Sequence, residues 1–323
     1  MSEIKTIGVL TSGGDAPGMN AAVRAVVRAA IYYGYNVKGI LHGYNGLIED
    51  NVIDMDLRSV SNIIQRGGTM LFTARCKEFE TEEGQQKAYE TCQKHGIDAL
   101  VVIGGDGSFR GCQAIAKKGI KCIGIPGTID NDIACSDYTI GYDTALNTAV
   151  EMCDRLRDTA RSHERCSVVE VMGRHAGHIA VSTAIANGAM AYIIPEKKYD
   201  LEKDVISQIK SSLAIGKKNF LVIVAEGVGD AEGIAKIIQY ATGIESRATI
   251  LGHVQRGGSP TSRDRLLASL MGCKAVELLK EGEYNRVVAL KEYKIVSYDI
   301  EEALAMTKEI DSYFLHVSDI ISI

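Results

Sequence analysis

Short apolar runs alternate along this chain with longer segments of helical period, and this alternation constrains the fold more than any other feature. The runs "TIGVLTS" (6–12), "DALVVIGG" (98–105) and "CIGIPGT" (122–128) predict strands because they are short and rich in β-branched residues. The segments 20–34 and 144–163 have the apolar spacing of helices. Strands that are apolar throughout are typical of parallel sheets buried on both faces. The pattern predicts an α/β protein with mostly parallel sheets covered by helices.

The length of the chain, 323 residues, is enough for two domains that each bury a core. Further strands are predicted at 37–41, 166–173, 191–196 and 219–227. No linker rich in proline or serine separates the two halves, and the chain contains only four prolines. We expect a domain boundary near residue 140, although composition alone does not mark it.

The charge balance argues against some classes of function. Acidic and basic residues are interspersed and the net charge is −5 at pH 7, which is unlike a general nucleic-acid binder. No apolar run reaches the roughly eighteen residues of a membrane span, and the first residues do not resemble a signal peptide. The eight cysteines include no C-x-x-C pair, which predicts reduced thiols in a cytoplasmic protein rather than disulfides or a zinc site.

Glycine clusters follow two of the predicted strands. "TSGGDAPGMN" (11–20) and "GGDGS" (104–108) each join a strand to a helix, and parallel sheets bind ligands at the carboxyl ends of their strands. Glycine lets the backbone approach a phosphate, and the following helix contributes N–H groups. Asp106 is then a candidate Mg²⁺ ligand, and Ser108 a helix cap or a donor to phosphate. Neither cluster matches G-x-x-x-x-G-K-[ST] or G-x-G-x-x-G, so tight turns without a ligand remain an equal alternative for "GGDGS" alone.

Two carboxylates follow another predicted strand. "GIPGTIDNDI" (124–133) contains Thr128, Asp130 and Asp132 just after the apolar run. A carboxylate beside a metal–phosphate site can accept the proton of an attacking hydroxyl. The alternative is a polar turn, which is less favoured because the polar residues follow a strand rather than a helix end.

Basic residues occur in several further loops, some of them beside glycines. They are Arg75, Arg165, Arg174, Arg247, and His253 together with Arg256. Each alone is typical of a solvated charge. Several arginines together suggest phosphate binding, because guanidinium stays charged and binds phosphate through two hydrogen bonds.

Six motifs together resemble the bacterial ATP-dependent 6-phosphofructokinases. They are "LTSGGDAPGMNA", "RGGT", "VVIGGDGS", "PGTIDNDI", "VEVMGRHAG" and "LGHVQRGGSP", in that family's order and spacing from about residue 4 to about residue 290. The resemblance implies Mg²⁺-assisted transfer of phosphate from ATP to the 1-hydroxyl of D-fructose 6-phosphate, the committed step of glycolysis. The products are fructose 1,6-bisphosphate and ADP.

The resemblance also implies a domain organisation and an assembly. It predicts two doubly wound, Rossmann-like domains with the active site in the cleft between them. One domain, 1–140 plus about 254–304, binds ATP and Mg²⁺; the other, 141–253 plus about 305–323, binds the sugar phosphate. The family is a homotetramer.

Roles of individual residues follow from the resemblance as expectations. The ATP side comprises Gly14, Tyr44, Arg75, Cys76, Gly105, Asp106, Gly107 and Ser108, with Asp106 on the metal. Asp130 matches the general base, with Thr128 and Asp132 in support, and Arg75 and Arg174 stabilise the transferred phosphoryl group or orient the sugar. The sugar-phosphate pocket, which Thr128 and Asp130 adjoin, comprises Met172, Gly173, Arg174, Glu226, His253 and Arg256. Arg165 and Arg247 match two arginines that reach the 6-phosphate from a neighbouring subunit.

Two glycines indicate which phosphate donor is used. In the pyrophosphate-dependent relatives an aspartate replaces the glycine at position 107 and a lysine replaces the one at 127, so Gly107 and Gly127 favour ATP. NAD and lipid kinases share the "GGDG" loop but lack "PGTIDND" and "GHVQRGGSP". A catalytically silent subunit of the same fold predicts the loss of Asp106, Asp130 or Arg174, and all three are present.

The family's effector site, which binds ADP or phosphoenolpyruvate, is matched only in part. The matching residues are Arg24, Arg28, Arg157, Lys217 and Lys218, with Arg58 one position away from the usual arginine. Met190 replaces a glutamate, and Ile215 replaces a basic residue. Loss of the carboxylate predicts weak or absent activation by ADP while inhibition of the phosphoenolpyruvate type survives; compensation by neighbouring residues is the alternative.

Overall fold

A computed structural model describes residues 4–321, which form two compact units. The first unit contains the chain up to Ile129, Ile133–Thr144 and Arg256–Lys308. The second contains Asp130–Asp132, Ala145–Gln255 and the chain from Glu309 onward. Each unit has a hydrophobic cluster made of its own residues. The assignment of ATP to one part of the chain and sugar phosphate to the other stays a prediction.

The first unit is built on one sheet of eight strands within residues 4–321. Numbered along the chain, they are β1 (Thr6–Thr11), β2 (Asn36–Ile40), β3 (Val52–Met55), β4 (Ala99–Gly104), β5 (Lys121–Thr128), β6 (Ile140–Gly141), β11 (Arg286–Lys291) and β12 (Lys294–Asp299). Their order is β12-β11-β5-β4-β1-β2-β3, with β6 paired to β5. The inner pairs are parallel, whereas β2 with β3 and β11 with β12 are antiparallel. The central strands β1 and β4 are buried along their whole length.

Helices flank this sheet. They are α1 (Met19–Tyr32), α2 (Tyr44–Ile48), α3 (Glu82–Lys94), α4 (Asp106–Ala116), α9 (Ser262–Glu281) and α10 (Ile300–Ala305), with a 3₁₀ turn at Glu78–Glu80. α1 packs along α9. Helix α5 (Tyr142–His163) begins in the first unit and continues in the second.

The second unit is built on a smaller parallel sheet. Its four strands, among the residues described, are β7 (Cys166–Val171), β8 (Ala191–Ile193), β9 (Phe220–Ala225) and β10 (Ser246–Ile250) in the order β10-β7-β9-β8. The helices with them are α6 (His178–Asn187), α7 (Ser207–Ala214), α8 (Ala231–Thr242) and α11 (Ser312–Ile321), with a π-helical turn at Glu202–Ile206 and a 3₁₀ helix at Gly252–Arg256. Met190 and Val222 lie in the core of this unit.

The predicted α/β class with mostly parallel sheets is confirmed. The pattern missed β3, β6, β10, β11 and β12. β3, β10 and β12 are partly exposed and lack a continuous apolar run, β6 has only two residues, and the buried apolar part of β11 is short. The strand predicted at 191–196 ends at Ile193, ahead of Pro195, which cannot donate a ladder hydrogen bond. Within residues 4–321, no helix is long and apolar enough to cross a bilayer and no cysteine forms a disulfide.

Candidate active site

The two glycine loops of the first unit lie side by side. β1 and β4 are adjacent and parallel, so the loops after them share the carboxyl edge of the sheet. The Ser108 hydroxyl donates to the Ser12 carbonyl at 3.1 Å, which joins the two loops. A Cβ at Gly104 would lie 2.4 Å from Ser108 Oγ and 2.5 Å from Ser12 O. The contact therefore requires glycine at 104.

The "GGDGS" loop opens a helix that is suited to an anion. Gly105 is the N-cap of α4, and Asp106 lies in the first turn. The first N–H groups of a helix have no partner inside it and carry partial positive charge, which favours phosphate. A Cβ at Gly107 would meet no atom within 4 Å, so this face of the loop is open. The arrangement fits a phosphate group.

The metal donors of this loop fit Mg²⁺ held together with phosphate. Among residues 4–321 no group of three or more His, Cys, Asp or Glu side chains could bind an ion by itself. Mg²⁺ is commonly held by one or two carboxylates together with phosphate oxygens and water, and Asp106 supplies one carboxylate. Its charge adds to burial in raising the pKa of Cys135 to about 11. Asp106 therefore lies near the residues that follow "PGTIDND".

The segment that contains Arg75 and Cys76 runs beside the first glycine turn. The Gly13 N–H donates to the Ala74 carbonyl at 3.3 Å, and the Thr73 hydroxyl donates to the Gly13 carbonyl at 3.0 Å. Arg75 is exposed, whereas Cys76 packs against the core. The structure thus brings the predicted pair to the turn that contains Gly14.

Arg256 also contacts this turn. Its Nε and Nη2 donate to the Asp15 carbonyl at 3.3 and 3.2 Å, and Nη2 lies 3.2 Å from the Asp15 carboxylate. A Cβ at Gly14 would collide with the guanidinium. In this structure Arg256 is therefore held at the glycine turn of the first unit, while its role in the sugar-phosphate pocket stays a prediction.

Tyr44 lies beneath the phosphate loop. Its side chain is buried, its hydroxyl donates to the Ser108 carbonyl at 2.7 Å, and its ring stacks on Phe79 with centroids 4.1 Å apart. Burial, with Cys112 adding to it, raises the pKa of Tyr44 well above its usual value. The contact with "GGDGS" runs through the loop's backbone, a supporting role that the sequence did not indicate.

The segment 128–132 leaves the sheet at the end of β5. The Thr139 hydroxyl donates to the Thr128 carbonyl at 2.7 Å, and Thr128 pairs with Gly141 of β6. Asn131 adopts a left-handed backbone conformation, with φ of 53°. Asp130 is 7% exposed, so the candidate base is a buried carboxylate, whereas Asp132 is partly exposed. Asp130–Asp132 belong to the second unit, whereas Thr128 belongs to the first.

In the second unit, side chains hold the loop Met172–Arg174 after β7. Glu226, directly after the adjacent strand β9, accepts the N–H of Gly173 at 3.3 Å and also that of Arg174. Gln255 accepts the Met172 N–H at 2.8 Å. Gly173 has φ of 141° and a Cβ there would lie 2.4 Å from the Ala176 carbonyl, so only glycine fits. The predicted trio and Glu226 are brought together.

His253 and Gln255 follow strand β10 in the same unit. The N–H of Leu251, after β10, donates to the Glu170 carbonyl of β7, and the exposed His253 lies two residues beyond. Burial, followed by the charge of Glu226, raises the pKa of Glu170. Gln255 is 0% exposed, and the sequence reading missed it. The one available signal was its place between His253 and Arg256 in "GHVQR".

Arg165 and Arg247 lie where strands β7 and β10 begin, at the opposite end of the strands from the loop Met172–Arg174. Arg165 precedes β7, and Arg247 pairs with Ser167 near the start of that strand. Both bind Glu245: Arg165 Nε lies 2.7 Å from Oε2, and Arg247 Nη2 lies 2.7 Å from Oε1. Their hydrogen bonds, Arg247's first, lower the pKa of Glu245. A six-residue strand is about 20 Å long, so these arginines are not assembled with Met172–Arg174 within one chain.

The predicted effector residues fall into two groups, one in each unit. In the second unit, burial and then the charge of Arg157 lower the pKa of Lys217, so these two cations lie close together. Lys218 pairs with Glu164 at 2.9 Å. Met190 is 2% exposed and packs in the core, whereas Ile215 is 86% exposed.

The other group lies in the first unit. Arg24 and Arg28 are on α1, and burial followed by the charge of Arg28 lowers the pKa of Arg24. The backbone N–H of Arg58 donates to Asp56 at 2.9 Å in a surface turn.

Comparison with known proteins identifies the family. Residues 6–279 match the model of phosphofructokinases. The chain belongs to the phosphofructokinase family. A Clostridium botulinum (strain Hall) protein named ATP-dependent 6-phosphofructokinase is 57% identical over 319 residues, which cover 99% of this chain and 100% of the relative. A Thermoanaerobacter sp. (strain X514) protein of the same name is 54% identical over 322 residues, again covering 99% and 100%. As a phosphofructokinase the chain is an enzyme, a kinase.

Solved structures of phosphofructokinases have the same fold. The Saccharomyces cerevisiae phosphofructokinase superposes with a TM-score of 0.88 at 36% identity over 99% of this chain. This chain spans 48% of the yeast chain, about half its length. A pyrophosphate-dependent phosphofructokinase of Marinobacter aquaeolei superposes with a TM-score of 0.85 over 96% of this chain and 86% of its own, at 21% identity. At that identity the likeness concerns the fold alone.

Proposed function

We propose that the protein transfers the γ-phosphoryl group of ATP to the 1-hydroxyl of D-fructose 6-phosphate, giving fructose 1,6-bisphosphate and ADP in glycolysis. The observation that carries the proposal is the pair of glycine loops joined by Ser108 and Ser12 at the carboxyl edge of the first sheet, with Asp106 at the start of α4. This pairing suits a polyphosphate, because the backbone N–H groups at the start of α4 can bind its oxygens and the face of the loop at Gly107 is open. The names of the two bacterial relatives support the same reaction.

Asp130 takes the proton from the sugar 1-hydroxyl as that oxygen attacks the γ-phosphorus. Burial of Asp130 suits this role, since the carboxylate is shielded from bulk water where the hydroxyl would attack. Thr128 and Asp132 support it, and Arg75 and Arg174 stabilise the charge of the transferred phosphoryl group. Asp106 would hold Mg²⁺ with the phosphates, and the ion would neutralise their charge when bound.

The sugar phosphate is assigned to the second unit. Met172, Gly173, Arg174, Glu226 and His253 lie at one sheet edge there, and Glu226 and Gln255 fix the loop from which Arg174 extends. The resemblance assigns Arg256 to the same sugar-phosphate site.

Local space at two glycines favours ATP over pyrophosphate as the donor. An aspartate at position 107 would stand on the open face of the phosphate loop and repel the α-phosphate of ATP. At Gly127 a Cβ would lie 3.0 Å from Ile103 Cγ2 and 3.3 Å from Met19 Cε, so a lysine needs both neighbours to shift. The chain keeps glycine at each position.

The active site is proposed to be shared between subunits of a homotetramer. Arg165 and Arg247 lie at the edge of the sheet opposite the loop Met172–Arg174. Two arginines fixed by Glu245 at that edge suit a phosphate of a neighbouring copy of the chain rather than of their own. They would bind the 6-phosphate, which does not react.

Regulation is proposed to differ from the family pattern. Met190 is buried in the core and offers no carboxylate to an effector's metal, and Ile215 offers no charge. We expect weak or absent activation by ADP, with Arg24, Arg28, Arg58, Arg157, Lys217 and Lys218 left to bind phosphoenolpyruvate. We expect the reaction to take place in the cytoplasm, as the cysteine pattern of the sequence predicts.

A donor assay tests the proposal. Purified protein is supplied with Mg²⁺ and fructose 6-phosphate, and with ATP or pyrophosphate, each with and without ADP or phosphoenolpyruvate. Turnover with ATP that ADP does not change supports both the reaction and the altered effector site. Turnover with pyrophosphate alone would overturn the donor assignment, and no turnover with either donor would favour a silent subunit.

A further inference from the structure

A fully buried carboxylate lies in the first turn of α9, among residues without an assigned role. Asp264 is 0% exposed. Its Oδ1 accepts the N–H of Gly141 at 2.9 Å, and its Oδ2 accepts the N–H and the hydroxyl of Thr144 at 2.8 and 2.5 Å. Gly141 directly precedes α5 and Thr144 is in its first turn. One helix therefore caps the start of another.

The starts of α5 and α9 hold each other reciprocally. Thr261, the N-cap of α9, accepts the N–H of Asp264 at 3.3 Å and donates its hydroxyl to Asp143 of α5 at 2.6 Å. The Thr261 N–H donates to the Thr144 hydroxyl at 3.0 Å. Each helix thus supplies a carboxylate that binds a donor of the other, and the two starts move together.

The same carboxylate adjoins two segments of the proposed active site. Gly141, which Asp264 binds, pairs with Thr128 at the end of β5, two residues before Asp130. On another side lies Gly18, at the end of the first glycine turn. A Cβ there would be 3.6 Å from both the Cβ and the carbonyl oxygen of Asp264. Asp264 therefore hydrogen-bonds the strand residue that pairs with the end of β5, and it lies next to the turn before α1.

We propose that Asp264 is a positioning residue of this enzyme, which keeps Thr128 and the end of β5 in place for phosphoryl transfer without touching the substrate. This proposal rests on the proposed function. Displacement of a reacting group by about 1 Å can cost about 100-fold in rate, so a fixed strand end has a direct effect on turnover.

Stability alone does not account for a carboxylate at this position. Burial raises the pKa of Asp264 to about 6, the charge of Asp143 adds to the shift, and the hydrogen bonds from Thr144 and Gly141 oppose it. The cations nearest along α9 contact other groups: Arg263 lies over the Tyr138 ring, and Arg265 donates to the Pro260 carbonyl. An ionised Asp264 therefore costs free energy at neutral pH. A positional role explains why the group is there.

The test compares Asp264→Asn with a matched variant, Asp98→Asn, in the full-length protein. Asp98 also binds two backbone N–H groups, those of Lys5 and Thr6 at 2.7 and 2.9 Å, but at the start of β1, far from the glycine turn. We expect Asp264→Asn to lower kcat about 100-fold with KM for fructose 6-phosphate changed less than about twofold. Asp98→Asn leaves kcat at the wild-type value. A kcat for Asp264→Asn like that of Asp98→Asn would overturn the proposal.

A second variant and a second measurement keep the test decisive. Thr144→Val removes one donor to Asp264 while keeping the backbone N–H, and it should lower kcat in the same direction; an unchanged kcat counts against the proposal if Asp264→Asn does not fold. Hydrogen exchange of the amides in 127–144 should become faster in Asp264→Asn and stay unchanged in Asp98→Asn. Unchanged exchange would also overturn the role. If the wild type transfers no phosphate from ATP, the proposed function fails, and the exchange result still decides whether Asp264 holds this segment.

Discussion

The loops at the carboxyl edges of the two sheets are built in opposite ways. In the first unit the "GGDGS" loop is held mainly through its backbone, with close packing at Gly104. The Ser108 hydroxyl donates to the Ser12 carbonyl, and the Tyr44 hydroxyl donates to the Ser108 carbonyl. In the second unit the loop Met172–Arg174 is held by the side chains of Glu226 and Gln255, which accept its N–H groups.

This difference determines what each loop can bind. A loop of glycines at a helix start offers its own N–H groups to an anion, so it suits the phosphates of a nucleotide. A loop whose N–H groups are already bound by Glu226 and Gln255 offers its side chains instead, here above all Arg174. The first loop recognises phosphate by backbone, and the second orients a charged side chain.

The largest effect is expected at the candidate base, Asp130, which belongs to the second unit. Asp130→Ala should lower kcat by about 10³- to 10⁴-fold, because no group then takes the proton of the attacking hydroxyl. ATP affinity, measured by calorimetry, should change little, since the glycine loops are intact. Turnover close to wild type would remove Asp130 from the mechanism.

Asp264 is a buried carboxylate that accepts backbone N–H groups, and the stability of the protein should therefore depend on pH. The folded-state pKa of Asp264, about 6, lies above the ordinary aspartate value of 3.8, so the folded protein binds more protons in this range. Its contribution to the unfolding free energy is present below pH 4 and is lost as pH rises through 6, by about 3 kcal/mol. Denaturant titrations at pH 4.5 to 7.5 should show this loss in the wild type and not in Asp264→Asn. Parallel curves would contradict it.

Backbone packing in the glycine loop can be tested by a pair of alanine variants. Gly104→Ala forces Cβ against Ser108 and Ser12, and we expect a loss of about 2 kcal/mol of unfolding free energy. Gly107→Ala points into open space, so stability should hold or rise by up to about 1 kcal/mol, while kcat/KM for ATP falls about 10-fold. Equal loss of stability in both variants would show that close packing does not distinguish the two positions.

Turnover of fructose 6-phosphate should depend on the hydrogen-bond acceptor that Glu226 supplies to the loop Met172–Arg174, more than on the negative charge of Glu226. Glu226→Ala leaves the N–H groups of Gly173 and Arg174 without their acceptor and should lower kcat/KM for fructose 6-phosphate about 30-fold. Glu226→Gln keeps an acceptor oxygen and should recover most of that loss. Glu196→Gln is the control, because Glu196 accepts the Gly177 N–H in the same unit. A Glu226→Gln variant as impaired as Glu226→Ala would assign the charge a direct role.

The smallest effect is expected at Arg247, near the start of strand β10 in the second unit. Arg247→Ala should raise KM for fructose 6-phosphate about 10-fold with kcat nearly unchanged, since a non-reacting phosphate is bound there. Arg247→Ala subunits refolded together with Asp130→Ala subunits should contain some sites with both native residues. Sites with wild-type KM in the mixture would support an active site that is shared between subunits. An activity equal to the sum of the two variants measured separately would contradict it.

The sequence by itself determined the fold class and the segments that carry the chemistry. Apolar runs such as 98–105 are decisive because a strand buried on both faces needs no information from elsewhere in the chain. The need for glycine at 173 is local, because its φ of 141° and the nearby Ala176 carbonyl exclude a side chain, whereas glycine at 104 is also required by the distant Ser12. Edge strands such as β10 were not predicted from the sequence, because their partial exposure removes the continuous apolar run.

Only the tertiary structure decided which residues support those segments. Tyr44 binds Ser108, Gln255 binds Met172, and Asp264 binds Gly141. The two residues of each pair are 64 to 123 positions apart in the sequence. The separation of Arg247 from the loop Met172–Arg174 likewise depends on strand direction and register. A hydrogen bond between distant residues leaves no periodic pattern in the sequence, because its geometry exists only once both elements have packed.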